Sequence, residues 1–598
     1  MMKLLKYLAG LAWLIAMTAC HDFESLNTHP YEPVYDPTVE QVSPDGIDLD
    51  YTLSDRALAS LKSMEGAVGS LFAHFTYEGV YNDYQVTTNL THDLYAGYWA
   101  NNVSEFVDQS PTYAYTDNWS AVRWKHFYDD RSASEYAQLV KTFHFCNRAY
   151  YHTAFYLTRT YYAFLLSMQT DTYGDIPVAY YVKGALPPQE QVTYQSQREV
   201  YAIIFQLLDQ AVTQLRPENR PAVPQYDLGS NDKCYGGQVD RWLRLANTLR
   251  LRLALRVSNA DPNWAQEQAR AALTDPAGLM QGPADNLRQV PKRQYQPGGN
   301  ENIFALLFSW MGNVVLTQEL EWAYKNQSWR SAAPDGPSFN EDESVCNLDP
   351  RCEVLWFRPT PFDSLTARPF PLEHPTRPYR GVRNGEINVG ASYLNCYSPG
   401  RCLLTSESSH PDYWWTLARE IVWVGYAESL FLKAEAALRW PSLVGESPET
   451  LYLQGIRASM DYYGIAPDRI DTYLQGLQGR AAFAEGSREE QLEQIITQKW
   501  LAVFPNGNEG WAEVRRTDYP RYLQAPLGEN QSNGEVLPGK LIKRLRYPNS
   551  EARNPYRPQQ AHQGTRVWWD VADTMDDTGK WRQPNNFPEV SHPFISAI

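Results

Sequence analysis

Beyond its first 20 residues this 598-residue chain contains no run of 18 or more apolar residues, so no mature helix is expected to span a bilayer. It also lacks the HExxH, GxSxG, Walker and GxGxxG patterns, which leaves zinc-protease, esterase and nucleotide-dependent readings without a starting motif. Positive charge is scarce, with 53 Lys and Arg against 69 Asp and Glu, for a net charge of -16. Removal of the first 19 residues would delete Lys3 and Lys6, leaving 51 against 69, or -18. A surface so charged repels phosphate backbones and excludes nucleic acid as a natural partner. Cysteine is sparse at seven, with no CxxC and no His pair at metal spacing, so zinc is the weaker reading of Cys146, Cys234, Cys346, Cys352, Cys396 and Cys402. The matching spacings Cys346 to Cys352 and Cys396 to Cys402 favour disulfides in that region, with the pairing open.

Aromatic residues, by contrast, are abundant: Tyr 40, Phe 21 and Trp 19 exceed what a core of this size needs and point to a recognition surface. At the N-terminus, Lys3 and Lys6 precede an apolar run from Leu8 to Met17 that ends in Met17-Thr18-Ala19-Cys20. Such a run is an export signal, too short for a mature membrane helix. Small residues before a cysteine resemble a bacterial lipobox, so residues 1–19 are read as a signal peptide and Cys20 as the lipidated N-terminus. An ordinary secretory signal with an incidental cysteine is the weaker alternative. The polar, proline-rich residues 20–46 form a tether, and residues 47–598 a single domain.

Within that domain helical periodicity dominates. Trp242, Ala246, Leu249, Leu253 and Val257 fall on one face, with Arg244, Arg252 and Arg256 off the stripe. A second helix is expected over 421–440, with Glu435 and Arg439 paired on its outer face and Pro441 as its stop. A third opens at the capping box Ser487 to Glu490 and ends near Asn506-Gly507. Further helices are expected at 54–73, 134–168, 198–215, 263–273 and 449–462. Eight helices joined in pairs point to a helical-repeat scaffold. Residues 277–415 lose this period, and so long an irregular stretch reads as loops and short strands carrying a binding face.

An ordered set of segments resembles the SusD/RagB nutrient-binding outer-membrane lipoproteins, in the branch with a Thr-Asp-x-Tyr-Gly-Asp-Ile-Pro signature. Here that signature is Thr170-Asp171-Thr172-Tyr173-Gly174-Asp175-Ile176-Pro177. It is accompanied by Asp93-Leu94-Tyr95-Ala96-Gly97, Asp349-Pro350-Arg351, Gln498-Lys499-Trp500, Glu509-Gly510-Trp511 and Arg546-Tyr547-Pro548. The resemblance implies an all-α dominated, SusD-like fold: four tetratricopeptide-like helix pairs packed against an irregular, loop-rich ligand-binding half with short strands. It further implies a SusC-like TonB-dependent transporter as partner, an oligosaccharide or peptide ligand, no catalysis and no cofactor. Asp22 and Glu24 resemble the signals that carry such lipoproteins to the outer face of the outer membrane. A surface glycoside hydrolase and an adhesive surface protein are the competing functions.

Two carboxylate pairs, Asp171 with Asp175 and Glu428 with Glu435, keep the hydrolase alternative in view. The first lies in a turn where Asp bonds backbone amides, and the second among core-facing residues beside Lys433 and Arg439, so structural roles are the stronger reading. Asp570, Asp573, Asp576, Asp577 and Gly579 form an acidic cluster without EF-hand spacing, read as a solvated loop rather than a metal site. For the ligand platform the candidates are Trp99, Trp310, Trp322, Trp329 and Trp414, because a sugar presents a flat C–H face that stacks on an indole. Trp356, Trp242, Trp500 and Trp511 are assigned to packing instead. The lipidation reading predicts that a tagged fatty acid labels the protein metabolically and that Cys20→Ala abolishes the label; label persisting in that variant would refute it.

Overall fold

The computed structural model describes residues 46–81, 83–100, 112–187, 192–291, 301–310, 315–326, 329–333, 336–339, 348–359, 378–383, 397–485, 487–521, 523, 525, 530–571 and 586. Cys20 and the tether lie outside them. The chain is predominantly helical with a few short strands. Its longer helices are numbered here α1 Asp55–Met64, α2 Val68–Tyr81, α3 Ser132–Asn147, α4 His152–Tyr173, α5 Gln197–Gln214, α6 Val239–Arg256 and α7 Pro262–Thr274. After these come α8 Ile303–Trp310, α9 Gln318–Tyr324, α10 Tyr426–Arg439, α11 Pro448–Tyr462, α12 Pro467–Gln475, α13 Arg488–Val503 and α14 Gly507–Thr517.

Local chemistry explains where they begin. Ser196 and Glu199 form a reciprocal capping box at α5, and Asp261 and Ser447 cap α7 and α11, each just before a proline at the first helical position. Ser487 caps α13 by accepting from the Glu490 amide. Three expected boundaries move. The stretch 134–168 is two helices separated at 148–151, and 54–73 is likewise divided and extended to Tyr81. Residues Ile421–Val424 form a strand rather than the first turn of a helix, since three β-branched residues and a tryptophan suit a pleated edge better. That strand, β6, pairs antiparallel with β1 Leu287–Gln289. The other pairs are the hairpin of β2 Trp329–Ala333 with β3 Gly336–Phe339, and parallel β4 Cys402–Leu403 with β5 Trp415–Thr416.

Helices adjacent in sequence pack side by side: α3 on α4, α4 on α5, α6 on α7 and α10 on α11, with α13 lying across α10. The α10–α11 contact is close because residue 455 is glycine, where a Cβ would stand 2.7 Å from the ring of fully buried Phe431. The disulfides favoured by the cysteine spacing do not form at the described partners. Cys352 and Cys402 are buried free thiols, as are the half-buried Cys146 and Cys234 free, while Cys346 and Cys396 lie outside the described residues. Cys402 donates to the Ala305 carbonyl, and burial pushes its thiol up to about 12, the behaviour of a small core residue.

Two of the three arginines placed off the α6 stripe are not on the surface, and Arg244 is half-buried. Arg252 and Arg256 are buried, and with Lys499, Arg439 and Arg516 they meet Asp171, Glu428, Glu435, Glu509 and Glu513 in a network joining α4, α6, α10, α13 and α14. Arg252 contacts Glu428 at 2.5 Å, and Arg256 contacts Glu509 at 2.6 Å, Glu513 at 2.9 Å and Asp171 at 3.5 Å. Lys499 reaches Glu509 at 2.7 Å, and Arg516 bridges Glu435 at 2.7 Å to Glu513 at 2.6 Å. The Glu435–Arg439 pair exists at 2.7 Å but is buried, because Arg516 of α14 covers the face expected to meet solvent. Lys433 turns instead to Glu446 at 2.5 Å.

Against the cost of burial, Arg516 and Arg439 hold the Glu435 carboxyl down at about 2. Glu509 and Glu513 are likewise held below the usual carboxylate range, against burial, by Arg256, Lys499 and Arg516. Because these folded-state values lie below the unfolded ones, their stabilisation is complete above about pH 4.5 and is lost as pH falls toward about 2. For Glu435 alone the shift corresponds to on the order of 3 kcal/mol. Burial moves Asp93 and Glu319 the other way, up to about 7. There the native state keeps a proton that the unfolded chain loses, so these two sites disfavour folding as pH rises from about 4 to about 7. Melting temperature should therefore peak near about pH 5, falling steeply on the acid side and gently toward neutrality. A flat profile below that peak, measured by circular dichroism, would count against the network.

Candidate functional site

The Asp93-to-Gly97 segment builds a tight corner. The Asp93 carboxylate accepts from Tyr84 Oη at 3.1 Å, Asn89 Nδ2 at 2.9 Å and the Gly507 amide at 3.0 Å. Its own carbonyl accepts from the amides of Tyr98 and Trp99. Gly507 opens α14 directly against Asp93, where any Cβ would collide with it. Trp99 leaves this corner inward, 2% exposed, with its ring 4.7 Å from Phe308 and 6.2 Å from Phe304. Its indole N–H has no partner among the described residues.

Of the other candidates, Trp310 ends α8 and Trp329 opens β2, and their side chains lie outside the described residues. Trp322 stands on α9, half-buried against the main core. Trp414 precedes β5 and is buried between the edges of Tyr462 and Tyr463, while the Arg419 guanidinium lies 3.8 Å above its ring. Trp99 and Trp414 belong to one aromatic assembly. Phe308, against Trp99, stacks at 5.1 Å on Trp415, the residue next to Trp414. Trp415 was absent from the sequence candidates, and its pairing with β4 is the local feature that places it. Trp356, Trp242, Trp500 and Trp511 are all fully buried.

Trp414 and Trp415 form one wall of a cleft of about 750 Å³, open mouth included. Its other walls come from β6 and the start of α10, from the end of α11 at Tyr462 and Tyr463, and from Phe504 and Pro505 after α13. Phe304 and Asn302 close it from the α8 side. The Asn302 side-chain Oδ1 is already used to cap α8, accepting from the amides of Phe304 and Ala305. Trp423 donates its indole N–H to Gln289 Oε1 at 2.8 Å, which ties β6 to β1.

The carboxylate pairs do not form an acid and base facing a common space. Asp171 accepts from Tyr201 Oη at 2.6 Å and Trp569 Nε1 at 2.8 Å, and Asp175 accepts the Gln197 amide at 2.9 Å near the α5 start. Burial raises Asp171, with Arg256 as the chief opposing charge. Glu428 and Glu435 are both engaged by arginines of the buried network. Asp570 is buried on Arg566 at 2.5 Å and Lys543 at 3.5 Å, and Asp573 to Gly579 lie outside the described residues. Among the described residues no helix is long and apolar enough to cross a membrane.

Two family models match the chain. One, described as Susd and RagB outer membrane lipoprotein, covers residues 50–312, and the other, described as starch-binding associating with outer membrane, covers 379–548. In fold the chain is SusD-like. A chitin-binding SusD homolog from Flavobacterium johnsoniae superposes with a TM-score of 0.65 at 26% identity, over 86% of this chain and 99% of that one. SusD homologs from Bacteroides uniformis (24% identity, TM-score 0.64, 85% and 99% coverage) and Parabacteroides distasonis (22%, 0.67, 85% and 98%) share the SusD-like fold. No curated protein matches the chain. The cleft draws its walls from both matched stretches of this SusD-like body, with Pro283 to Phe304 from the first and Trp414 to Pro505 from the second.

The structural assignment of Glu428 makes a sharp prediction. Glu428→Gln would take from buried Arg252 its nearest carboxylate, leaving it Glu509 at 3.6 Å, and should cost about 3 kcal/mol in urea denaturation. A variant of unchanged stability would return Glu428 to the list of candidate acids.

Proposed function

We infer that this chain is a lipid-anchored protein of the outer-membrane surface that captures an oligosaccharide or peptide and passes it to a SusC-like TonB-dependent transporter, with no catalytic step of its own. The observation that carries this reading is an aromatic cleft walled by both matched stretches of a SusD-like chain. The fate of the carboxylates supports the absence of catalysis, since hydrolysis of a glycosidic bond calls for two carboxyls flanking a shared substrate space. Here each candidate is bound to arginines, backbone amides or indole. Side-by-side helices such as α4 with α5, α6 with α7 and α10 with α11 are the natural members of four tetratricopeptide-like pairs. The region 277–415, with its short strands and tryptophans, would be the ligand-presenting half. Cys20 would carry the acyl chains, with Asp22 and Glu24 directing export to the outer face.

A structural relative described as chitin-binding makes N-acetylglucosamine oligomers the first ligands to try, followed by other neutral oligosaccharides and by peptides. Purified protein should bind one of these saturably and return it unchanged. Product release that disappears in Asp175→Asn would overturn the reading in favour of a hydrolase. From native membranes the protein should co-purify with a TonB-dependent barrel, and its recovery alone would point to adhesion.

A further inference from the structure

We propose that Asn533 is a site of spontaneous covalent modification, an asparagine that converts in the folded protein to aspartate and isoaspartate through attack by the Gly534 backbone nitrogen. This is independent of the capture reading.

Three Asn-Gly pairs occur in the sequence, Asn384-Gly385, Asn506-Gly507 and Asn533-Gly534, and the first lies outside the described residues. Asparagine is thermolabile, and a following glycine has no side chain to obstruct its amide nitrogen. Folding treats the two described pairs in opposite ways. Asn506 is 2% exposed, its side-chain amide donates to the Trp423 carbonyl at 3.2 Å, and its Oδ1 accepts from Asn508 at 3.4 Å. The Gly507 amide is bonded to the Asp93 carboxylate at 3.0 Å, and a Cβ there would collide with Asp93. Nucleophile and target carbon are both held in place.

Asn533 and Gly534 are both exposed, and neither the Asn533 side chain nor the Gly534 amide has a hydrogen-bond partner among the described residues. A Cβ added to Gly534 would meet no atom within 4 Å. The pair occupies the centre of a β-turn closed by the Glu535 amide donating to the Ser532 carbonyl at 3.2 Å, with φ of 55° at Asn533 and 84° at Gly534. Both angles are left-handed, as in a type I′ turn, and asparagine and glycine are the residues that accept them. Nothing packed on this turn stops the Asn533 side chain from rotating toward the Gly534 nitrogen.

The Gly534 amide gives its proton to hydroxide, and its nitrogen attacks Asn533 Cγ to form a new N–C bond. The Cγ–Nδ2 bond breaks, and the side-chain amide leaves as ammonia with a proton taken from water. Water then adds to the cyclic imide. Opening at one carbonyl gives aspartate, and opening at the other gives isoaspartate, whose main chain runs through the side-chain carbon.

The turn closes a local knot. Ser532 Oγ accepts from the Val536 amide at 2.9 Å, Asn530 Nδ2 donates to the Val536 carbonyl at 2.8 Å, and the Gln531 amide donates to the Thr112 carbonyl at 2.7 Å. Glu535 meets Arg546 at 3.2 Å and accepts from the Gln563 amide at 3.0 Å. Isoaspartate adds a main-chain carbon between Ser532 and Glu535 and a carboxylate beside Glu535, which loosens the knot.

The test ages the full mature chain in mildly alkaline buffer and follows the peptides carrying Asn533 and Asn506 by mass spectrometry, with isoaspartate read from its fragmentation. In the native protein the Asn533 peptide should convert about tenfold or more faster than the Asn506 peptide, because Gly507 must first leave a hydrogen bond to a charged group. In guanidinium-unfolded chain the two rates should converge. Asn533→Gly keeps a residue at ease with positive φ and should remove the modification from that peptide with melting temperature little changed. Hydrogen exchange over residues 530–537 should quicken in the aged protein and not in aged Asn533→Gly. Equal native rates at Asn506 and Asn533, or an Asn533 peptide that stays unmodified while the unfolded chain converts, overturns the site assignment. Aged protein that carries isoaspartate with unchanged exchange over 530–537 overturns the loosened knot.

Discussion

Five cations and five carboxylates are buried where α4, α6, α10, α13 and α14 converge, and the placement of those helices follows from the need to keep all ten paired. A buried ion pair adds little net stability compared with well-packed apolar groups, yet removing one member is expensive because a charge is left alone in low dielectric. The consequence is one of register. Sliding α14 by a residue would part Arg516 from Glu435 and Glu513 together, and rotating α6 would strand Arg252 and Arg256. Apolar contacts tolerate such shifts far better than paired charges do. The network therefore selects a single arrangement among the many that the same hydrophobic surfaces would permit.

That selection extends to the cleft. Glu428 lies in the first turn of α10, lines the cleft, and is held from behind by Arg252 and Lys499. The start of α10 and the strand before it are thus anchored on the core side, and Trp423 fastens β6 to β1 through Gln289. Phe504 and Pro505, on the opposite wall, directly precede α14, whose first amide is fixed to Asp93. Two facing walls are pinned by charged groups they share with the scaffold. A cleft so mounted would lose little ordering entropy on binding any ligand.

Periodicity and capping made the scaffold legible: the apolar stripe of α6 and the proline stop of α10 stand as read, and of the box expected at α13 the Ser487 half forms, accepting from the Glu490 amide. What stayed hidden was burial of charge. Off-stripe arginines and an i,i+4 Glu–Arg pair normally mean a solvated face, and only the approach of a distant helix, α14, reverses that meaning. Local sequence carries no trace of such an approach. Strand β6 was mistaken for helix because four apolar residues before a helical stripe fit either period, and its partner β1 lies more than a hundred residues away. Trp414 and Trp415 both line the cleft, and Trp415 was passed over because adjacent tryptophans cannot be separated into packing and lining without the third dimension.

The aromatic assembly also explains why burial alone does not sort binding residues from core residues in this chain. Trp99, Phe308 and Trp415 form a continuous stack, each ring touching the next, so the cleft wall and the interior are one packing system. Along that stack two indoles, Trp99 and Trp415, keep N–H groups without a partner among the described residues, while Trp423 on the cleft wall and Trp500 and Trp569 in the core all donate to oxygen. Core tryptophans are expected to find acceptors, since an orphaned donor costs about 1 to 3 kcal/mol. Fully buried Trp356, packed against Phe308, keeps an unmet indole N–H as well, so an orphaned donor does not by itself separate a ring of the cleft wall from a ring of the core.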